Sequence, residues 1–599
     1  MEGIGTNGAF GLSFSNASNG TYSTNGPLVI PATNWTLVST NLFITNGVSV
    51  MKLSFLASGT NNGFTTGTVG RFNYISIYPW WQAGFTSTNS TDVSSHLVAN
   101  SNDWIHASHN AVAIQNGVNS IGSTGGGTVY ITNGTYYVAQ TSPNETLRSY
   151  FNSAVYIPTN NVEIRGAGKT NTVLVAYNRA TTVFCLGRDA LTNQYACNNF
   201  TLRDMALQAQ PTLAVCTISA TNTNYITGTN IIYDTNQLVM GGTTNDENQE
   251  FINGLDTGAI VTLAGLSSTA CSYNVLITNC EFLEGYDQVT IWNTYVSNVM
   301  FRACDFLWIS NVMYGNVGVM VAGLVSNCVV MENTFNGNTD LAPTNFAYVS
   351  TNPYYGSPVA FAGVGIAWLQ IGGNFFVARN TILNNYFEGV QVDMGPNAVV
   401  GNTYSSMINN TASCALCASV CAGANNVLQY STCFVGNSVY GGRYGERGYN
   451  GLGQSSSTLY ILNFSGNSLD LYPAYDISGD YPGAAVAVAG SQAANVCGNS
   501  MTNGGHGFRY QDTNISALIL DNNFAGAGYR GTGYVSIGDF VTTAQIFSNI
   551  LGQGVSFHAQ LPYSSSFGWF MSSNIYVTNI STVVPLFTDP ASSSIHIYN

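Results

Sequence analysis

The sequence predicts an all-β solenoid, a parallel β-helix grown by stacking coils, with a small β-sandwich segment in front of it. Three observations carry that expectation. Charged residues make up only 7% of the chain, while 45% are hydrophobic and 12% aromatic, so a large core can form although an ordinary charged surface cannot. Cys280, Cys304 and Cys328 recur at intervals of 24 residues. Asn402, Asn437, Asn467 and Asn499 each follow a glycine, and the series continues through Asn522 and Asn549, at intervals of 35, 30, 32, 23 and 27 residues.

A recurrence of about 20–50 residues marks stacked repeats. At 599 residues the chain exceeds what one compact core accommodates, and growth in one direction removes that limit. Strands stacked about 4.8 Å apart bring equivalent positions of successive coils into contact. An asparagine at a tight bend can then donate its amide to the asparagine of the next coil and accept from the one before. The asparagine series therefore reads as a structural ladder, and the cysteine series as a column of small core residues. About fifteen coils at that spacing make a rod on the order of 70 Å long.

Residues 1–81 carry short alternating runs, Trp35-Thr-Leu-Val-Ser, Val48-Ser-Val-Met-Lys-Leu-Ser-Phe and Phe72-Asn-Tyr-Ile-Ser-Ile-Tyr, separated by Asn-Gly turns. They predict antiparallel strands of a jelly-roll-like β-sandwich. The segment is short for that fold, so it is expected to be either truncated or completed by strand addition from another chain, the second being a route to self-association. Residues 82–103 read as a linker, 104–560 as the β-helix and 561–599 as a strand-rich C-terminal cap. Within the β-helix, Asn110-Ala-Val-Ala-Ile-Gln-Asn-Gly-Val predicts a short amphipathic helix over the open end of the stack.

That helix with its Ala-Ile-Gln is followed by Gly125-Gly-Gly-Thr-Val-Tyr-Ile, by Gly134-Thr-Tyr and by Val162-Glu-Ile-Arg-Gly. The succession resembles the first coils of pectin-lyase-like proteins of the pectate lyase superfamily, over about residues 105–210. The resemblance implies a right-handed parallel β-helix. The pattern departs from that family where His109 and Asn110 replace acidic residues, and where proline is missing before Gly134-Thr-Tyr.

The net charge is −14 and the only lysines are Lys52 and Lys169, which excludes nucleic acid as a partner, since phosphate neutralisation needs clustered cations. No apolar run reaches the roughly 18 residues of a transmembrane helix. The Met-Glu-Gly-Ile-Gly start lacks a signal peptide's cationic and apolar regions. Composition and twelve cysteines nevertheless point to a secreted or cell-surface protein with disulfides. Cys414-x-x-Cys417-x-x-x-Cys421 has no fourth ligand within its motif, so loop disulfides are expected there rather than a metal site. Asn16, Asn34, Asn133, Asn199, Asn463 and Asn579 begin sequons and are glycosylation candidates.

The resemblance implies polysaccharide chemistry by one of two routes: proton abstraction with calcium held by carboxylates, or hydrolysis by clustered aspartates with a Gly-His-Gly motif. Gly505-His506-Gly507 matches the last motif, but the chain holds no Asp-Asp pair. The densest acidic group is Glu281, Glu284 and Asp287 with Asp305, and the 24-residue spacing sets Glu281 and Asp305 at equivalent positions of adjacent coils. Two carboxylates so placed couple, raising one pKa, and suit acid–base hydrolysis or calcium binding. The candidate catalytic residues are therefore Glu281, Asp287, Asp305 and His506, with Arg302 expected to neutralise the acidic pair. No metal is assigned and no cofactor is expected, unless a lyase reaction brings in Ca2+.

Trp80, Trp81 and the many tyrosines can stack on sugar rings or pack across strands. The resulting expectation is an extracellular structural or adhesive surface protein, self-associating into fibres and associated with glycan. The alternative is a polysaccharide lyase or glycoside hydrolase acting on an acidic polysaccharide.

Overall fold

A computed structural model describes strands within residues 2–71, residues 89–139, 153–177, 181–188, 195–209, 231–232, 239–240, 259–263, 272–285, 287–308 and 317–337, and strands and bends between 365 and 598. The chain divides into two compact units, Met1–Gln82 and Ala83–Asn599. In the first, Ala9–Asn16 pairs antiparallel with Tyr22–Thr24, Leu28–Val29 and Met51–Ala57. The runs beginning at Trp35 and Phe72 lie outside the described residues.

The second unit is a right-handed parallel β-helix. Each full coil contributes to three parallel sheets. Ser153–Ile157, Thr182–Leu186 and Ala259–Leu263 open the first sheet. Gly127–Tyr130 and Val162–Arg165 belong to the second, Gly134–Val138 and Thr172–Ala176 to the third. Longer strands such as Phe200–Gln208 and Ser272–Leu283 run through the bend from second sheet to third. Parallel pairing begins before the expected boundary, at Ser90–Asp92 against Gly127–Tyr130. It also continues past residue 560, where Gly568–Ser572 pairs with Thr543–Phe547 and Ser594–Tyr598.

The end of the stack is covered by α1, Trp104–Ser123, which starts six residues before the predicted helix because Asp103 caps it there, accepting the backbone N–H of His106 at 3.0 Å. Its inner stripe, including Ala107, Ile114, Val118 and Ile121, is buried. Asn110, one of the departures from the family pattern, is fully buried and structural: its Nδ2 donates to the carbonyls of Val98 and Tyr137, both at 3.0 Å, and its Oδ1 accepts from Val98 N at 2.8 Å. Gln115 pairs with both backbone groups of Tyr156, which docks α1 onto the first sheet.

Inside, like stacks on like. The rings of Phe282, Phe306 and Phe335 lie nearly parallel with centroids 5.0 and 4.5 Å apart, and Phe434 stacks on Phe464 at 5.2 Å. Each buried phenylalanine contributes about 1.5–3 kcal/mol through burial, so these columns help hold the coils together.

Asn402, Asn437, Asn467, Asn499, Asn522 and Asn549 form one buried chain of amides, which extends upstream to Asn380 and Asn333. Asn437 shows the unit. Its Oδ1 accepts from both N and Nδ2 of Asn402, at 2.9 and 3.0 Å, while its Nδ2 donates to Val399 O and Asn467 Oδ1, at 2.9 and 3.1 Å. All four side-chain hydrogen-bonding positions are filled.

The cysteine column is different from the one the spacing suggested. Cys280 and Cys304 are equivalent, since Glu281 pairs with Asp305, but the next position in that column is Asn333, whose Oδ1 accepts Cys304 N at 2.9 Å. Cys328 belongs to the second sheet, between Val299 and Phe375. More residues separate Leu307 from Val317 than separate Leu283 from Asp287, so the second 24-residue interval does not complete a coil. Cys185, Cys197, Cys280, Cys304, Cys328, Cys433 and Cys497 are buried free thiols rather than disulfides. Burial pushes Cys185, Cys197, Cys328 and Cys497 up to about 12, so they act as small core groups with little thiolate reactivity.

Candidate functional site

In a chain so poor in charge, charged side chains gather at the bend between the second and third sheets. Successive bend residues there are Asp204, Asn279, Ala303, Glu332 and Arg379, with φ of 60, 50, 53, 58 and 53°. That left-handed conformation costs a residue with a Cβ about 1–2 kcal/mol. Three of these bend residues carry charge and join networks. Buried Glu163 accepts Thr128 Oγ1 at 2.7 Å and pairs with Arg203, whose Nη1 lies 3.1 Å from Asp204. One coil further, Asn279 Nδ2 donates to Asp204 at 2.7 Å. Glu332 takes Arg302 at 2.8 Å and Arg379 at 2.7 Å. Burial disfavours the Glu332 carboxylate, but the two guanidiniums outweigh it and hold the carboxyl below its ordinary value.

Beside this strip, Glu281 and Asp305 stand at paired positions of adjacent coils, facing outward from the third sheet. Lys169, from the turn between Val162–Arg165 and Thr172–Ala176, donates to Asp305 Oδ2. Desolvation raises the Glu281 pKa, and the neighbouring Asp305 charge adds to that, with Lys169 opposing it. The Asp305 hydrogen bond raises the pKa of Lys169. The result is two carboxyl groups with different roles available, one pushed toward its protonated form and one paired with a cation, which is the arrangement acid–base chemistry on a glycosidic bond needs.

Lys169 was not among the residues singled out from sequence, although its being one of two lysines was a usable signal. It takes the neutralising role expected of Arg302, which pairs with Glu332 instead. This donor set does not fit a calcium ion, which takes about six to eight oxygen ligands, because an ammonium already sits on Asp305. No group of three or more His, Cys, Asp or Glu side chains disposed around a metal occurs among the described residues.

The other sequence candidates lie elsewhere. Asp287 begins the next strand of the first sheet, against Ala259 and Val317. His506 begins a first-sheet strand several coils further on, against Ala484. Their side chains, like those of Cys414 and Cys417, are outside the described ones. Glu284 is buried at a left-handed turn, φ 60°.

Among the sequons, Asn133 is exposed, whereas Asn199 and Asn463 have their amides engaged within the stack. Asn199 belongs to a second ladder, Asn161–Asn199–Asn274–Asn298–Asn327, with links of 2.8, 3.0, 3.2 and 3.2 Å. Asn34 and Asn579 lie outside the described residues, and Asn16 ends the strand Ala9–Asn16.

Beyond Asp305 the same outward column of the third sheet continues as Thr334, Thr381, Thr403, Ser438, Ser468, Ser500 and Asn523. Carboxylates give way to hydroxyls and an amide at a repeat of about 4.8 Å.

No protein-family model matches the chain, and no curated protein sequence matches it. Solved structures do. The tailspike protein of E. coli bacteriophage HK620, in complex with a hexasaccharide, is 13% identical with a TM-score of 0.50, covering 81% of this chain and 77% of its own. The A-module of an Azotobacter vinelandii mannuronan C-5 epimerase is 14% identical with a TM-score of 0.42, covering 82% and 99%. The catalytic unit of a GH87 α-1,3-glucanase from Streptomyces thermodiastaticus is 12% identical with a TM-score of 0.42, covering 97% and 87%. At these identities the likeness is one of fold.

Proposed function

We propose that this protein is a secreted or cell-surface β-helical rod with a structural or adhesive role, associating with glycan without converting it. The outward column of hydroxyls and amides from Thr334 to Asn523 carries the reading. Such a surface offers regularly spaced donors and acceptors with little desolvation penalty, which suits a polymer of hydroxyl groups. The charges of the bend strip are engaged with one another, so they do not advertise an ionic ligand. A tailspike holding a hexasaccharide on the same fold supports glycan as the partner class. Self-association through Met1–Gln82 belongs to the same reading, since its antiparallel sheet is of the type that strand addition extends.

The Glu281–Asp305–Lys169 cluster favours a second reading, a glycoside hydrolase with Glu281 as proton donor. Electron microscopy of purified full-length protein, with reducing-end and unsaturated-product assays on a polysaccharide panel, separates the two. Regular filaments without turnover are expected. Dispersed monomers that cleave a polysaccharide, and stop doing so on Glu281→Gln, would overturn the proposal in favour of the hydrolase.

A further inference from the structure

Tyr440 lies on the outward face of the third sheet and is 52% exposed, its phenol taking no hydrogen bond from the described residues. Its position is fixed on both sides by register: Ser405 is the equivalent residue one coil before, Asp470 one coil after. Asp470 is itself prepared. An irregularity in the pairing after Leu469 places Asn503 rather than Thr502 opposite it, and Asn503 Nδ2 donates to Asp470 Oδ1 at 2.6 Å. Oδ2 of Asp470 takes no hydrogen bond from any described residue. Two residues back, on the same face, Ser438 and Ser468 stand next to each other on adjacent coils, Ser468 exposed.

We infer that Tyr440, with Asp470 and the flanking Ser405, Ser438 and Ser468, is a glycan-binding platform for an uncharged hexose polymer lying along the third sheet. The inference rests on the glycan-associating reading above and gives it a site and a ligand class. A pyranose ring is amphipathic, with a C–H face that stacks on an aromatic ring and hydroxyls around its rim. An exposed tyrosine fixed on a strand supplies the flat apolar surface at small entropic cost. Asp470, held by Asn503, supplies an acceptor oriented for a pair of vicinal hydroxyls, and a charge-assisted bond of that kind is stronger than a neutral one. The serines continue the hydrogen-bonding rim at the coil spacing. Charge selects the ligand: the Asp470 carboxylate beside Tyr440 repels uronates and no described cation stands next to it, so a neutral polymer fits and polygalacturonate does not.

Affinity electrophoresis of the full chain in gels containing a neutral glucan, a mannan or polygalacturonate tests this, with circular dichroism confirming that each variant is folded. Wild type is expected to be retarded by a neutral polymer and not by polygalacturonate. Tyr440→Ala should weaken retardation at least tenfold, Tyr440→Phe should leave it within about twofold, and Asp470→Asn should fall between. Retardation of wild type that Tyr440→Ala leaves unchanged, or that polygalacturonate alone produces, overturns this inference while leaving glycan association standing. No retardation by any of the three polymers, together with no binding on a broad glycan array, overturns both.

Discussion

The bend between the second and third sheets is built in two ways along one rod. From Asp204 to Arg379 its left-handed residue has a side chain, usually polar or charged, and the buried position after it is Met205, Cys280 or Cys304 before asparagine begins at Asn333. From Gly401 to Gly498 the left-handed residue is glycine and the buried one is always asparagine. The first region accepts backbone strain and covers it with ion pairs on the surface. The second avoids the strain and ties coils together inside, leaving an outward column of hydroxyls beside Tyr440 and Asp470. One corner geometry therefore supports two surfaces, an ionic strip beside Glu281 and a hydroxyl face around Tyr440.

Cutting the interior ladder has the largest expected effect. Asn437→Leu takes the acceptor from the Asn402 backbone N–H and from one N–H of the Asn402 amide, and removes a donor from the Val399 carbonyl and from Asn467 Oδ1, which keeps only the backbone N–H of residue 437; it should cost about 3 kcal/mol or more in chemical denaturation, since each buried unsatisfied group costs about 1–3 kcal/mol. At the equivalent place in the first region, Cys304→Ala should cost only about 1 kcal/mol, the loss of one small buried group. Cys304→Asn sharpens the contrast. Cys304 Sγ already points at Ile277 O, 3.5 Å away, as the ladder amides point at the carbonyl of the preceding coil, so this substitution should extend the ladder and be better tolerated than Cys304→Ala.

The left-handed residues come next in size. Gly466→Ala, at φ 62°, should destabilise by about 1–2 kcal/mol, while Ala303→Gly, at φ 53°, should stabilise by about 0.5 kcal/mol once the entropy of glycine is offset. Shifts of the unfolding midpoint in the same direction, or none, would show that the two bends are not built on the same strain.

Titration of the ionic strip gives the smallest effects, in opposite directions. The folded-state pKa of Glu332 is lowered, so its contribution is present above the unfolded value and is lost as pH falls through the folded one. Glu281 is raised, so the folded state binds the extra proton, and stability falls as pH rises from the unfolded value through the raised one. Glu281→Gln should therefore stabilise the protein modestly at neutral pH and leave it unchanged in acid, read from denaturation midpoints across pH. A loss of stability at neutral pH would mean that the Glu281 charge is favourable.

The ladder was legible from Gly401 onward because a glycine in front of each asparagine makes the bend conspicuous in sequence. Asn333 and Asn380 were hidden because Glu332 and Arg379 occupy the left-handed position instead. The second ladder was hidden for a related reason: Asn161, Asn199, Asn274, Asn298 and Asn327 are themselves the left-handed residues, with φ of 57 to 61°, and no fixed neighbour marks them. The spacing of Glu281 and Asp305 read correctly as adjacent coils, whereas the same 24-residue interval misplaced Cys328 because turn length varies from coil to coil. Lys169 was invisible as their partner because it reaches them from a turn 136 residues upstream of Asp305, a distance that periodicity does not encode.

On the proposed function, the β-helix binds neutral glycan and leaves it intact. Proton NMR of a neutral oligosaccharide mixed with wild-type protein tests it directly. Broadening of the sugar resonances is expected, relieved in Tyr440→Ala, with no new anomeric signals over time. New anomeric signals that Glu281→Gln abolishes would contradict it and identify the charged half of the rod as the working half.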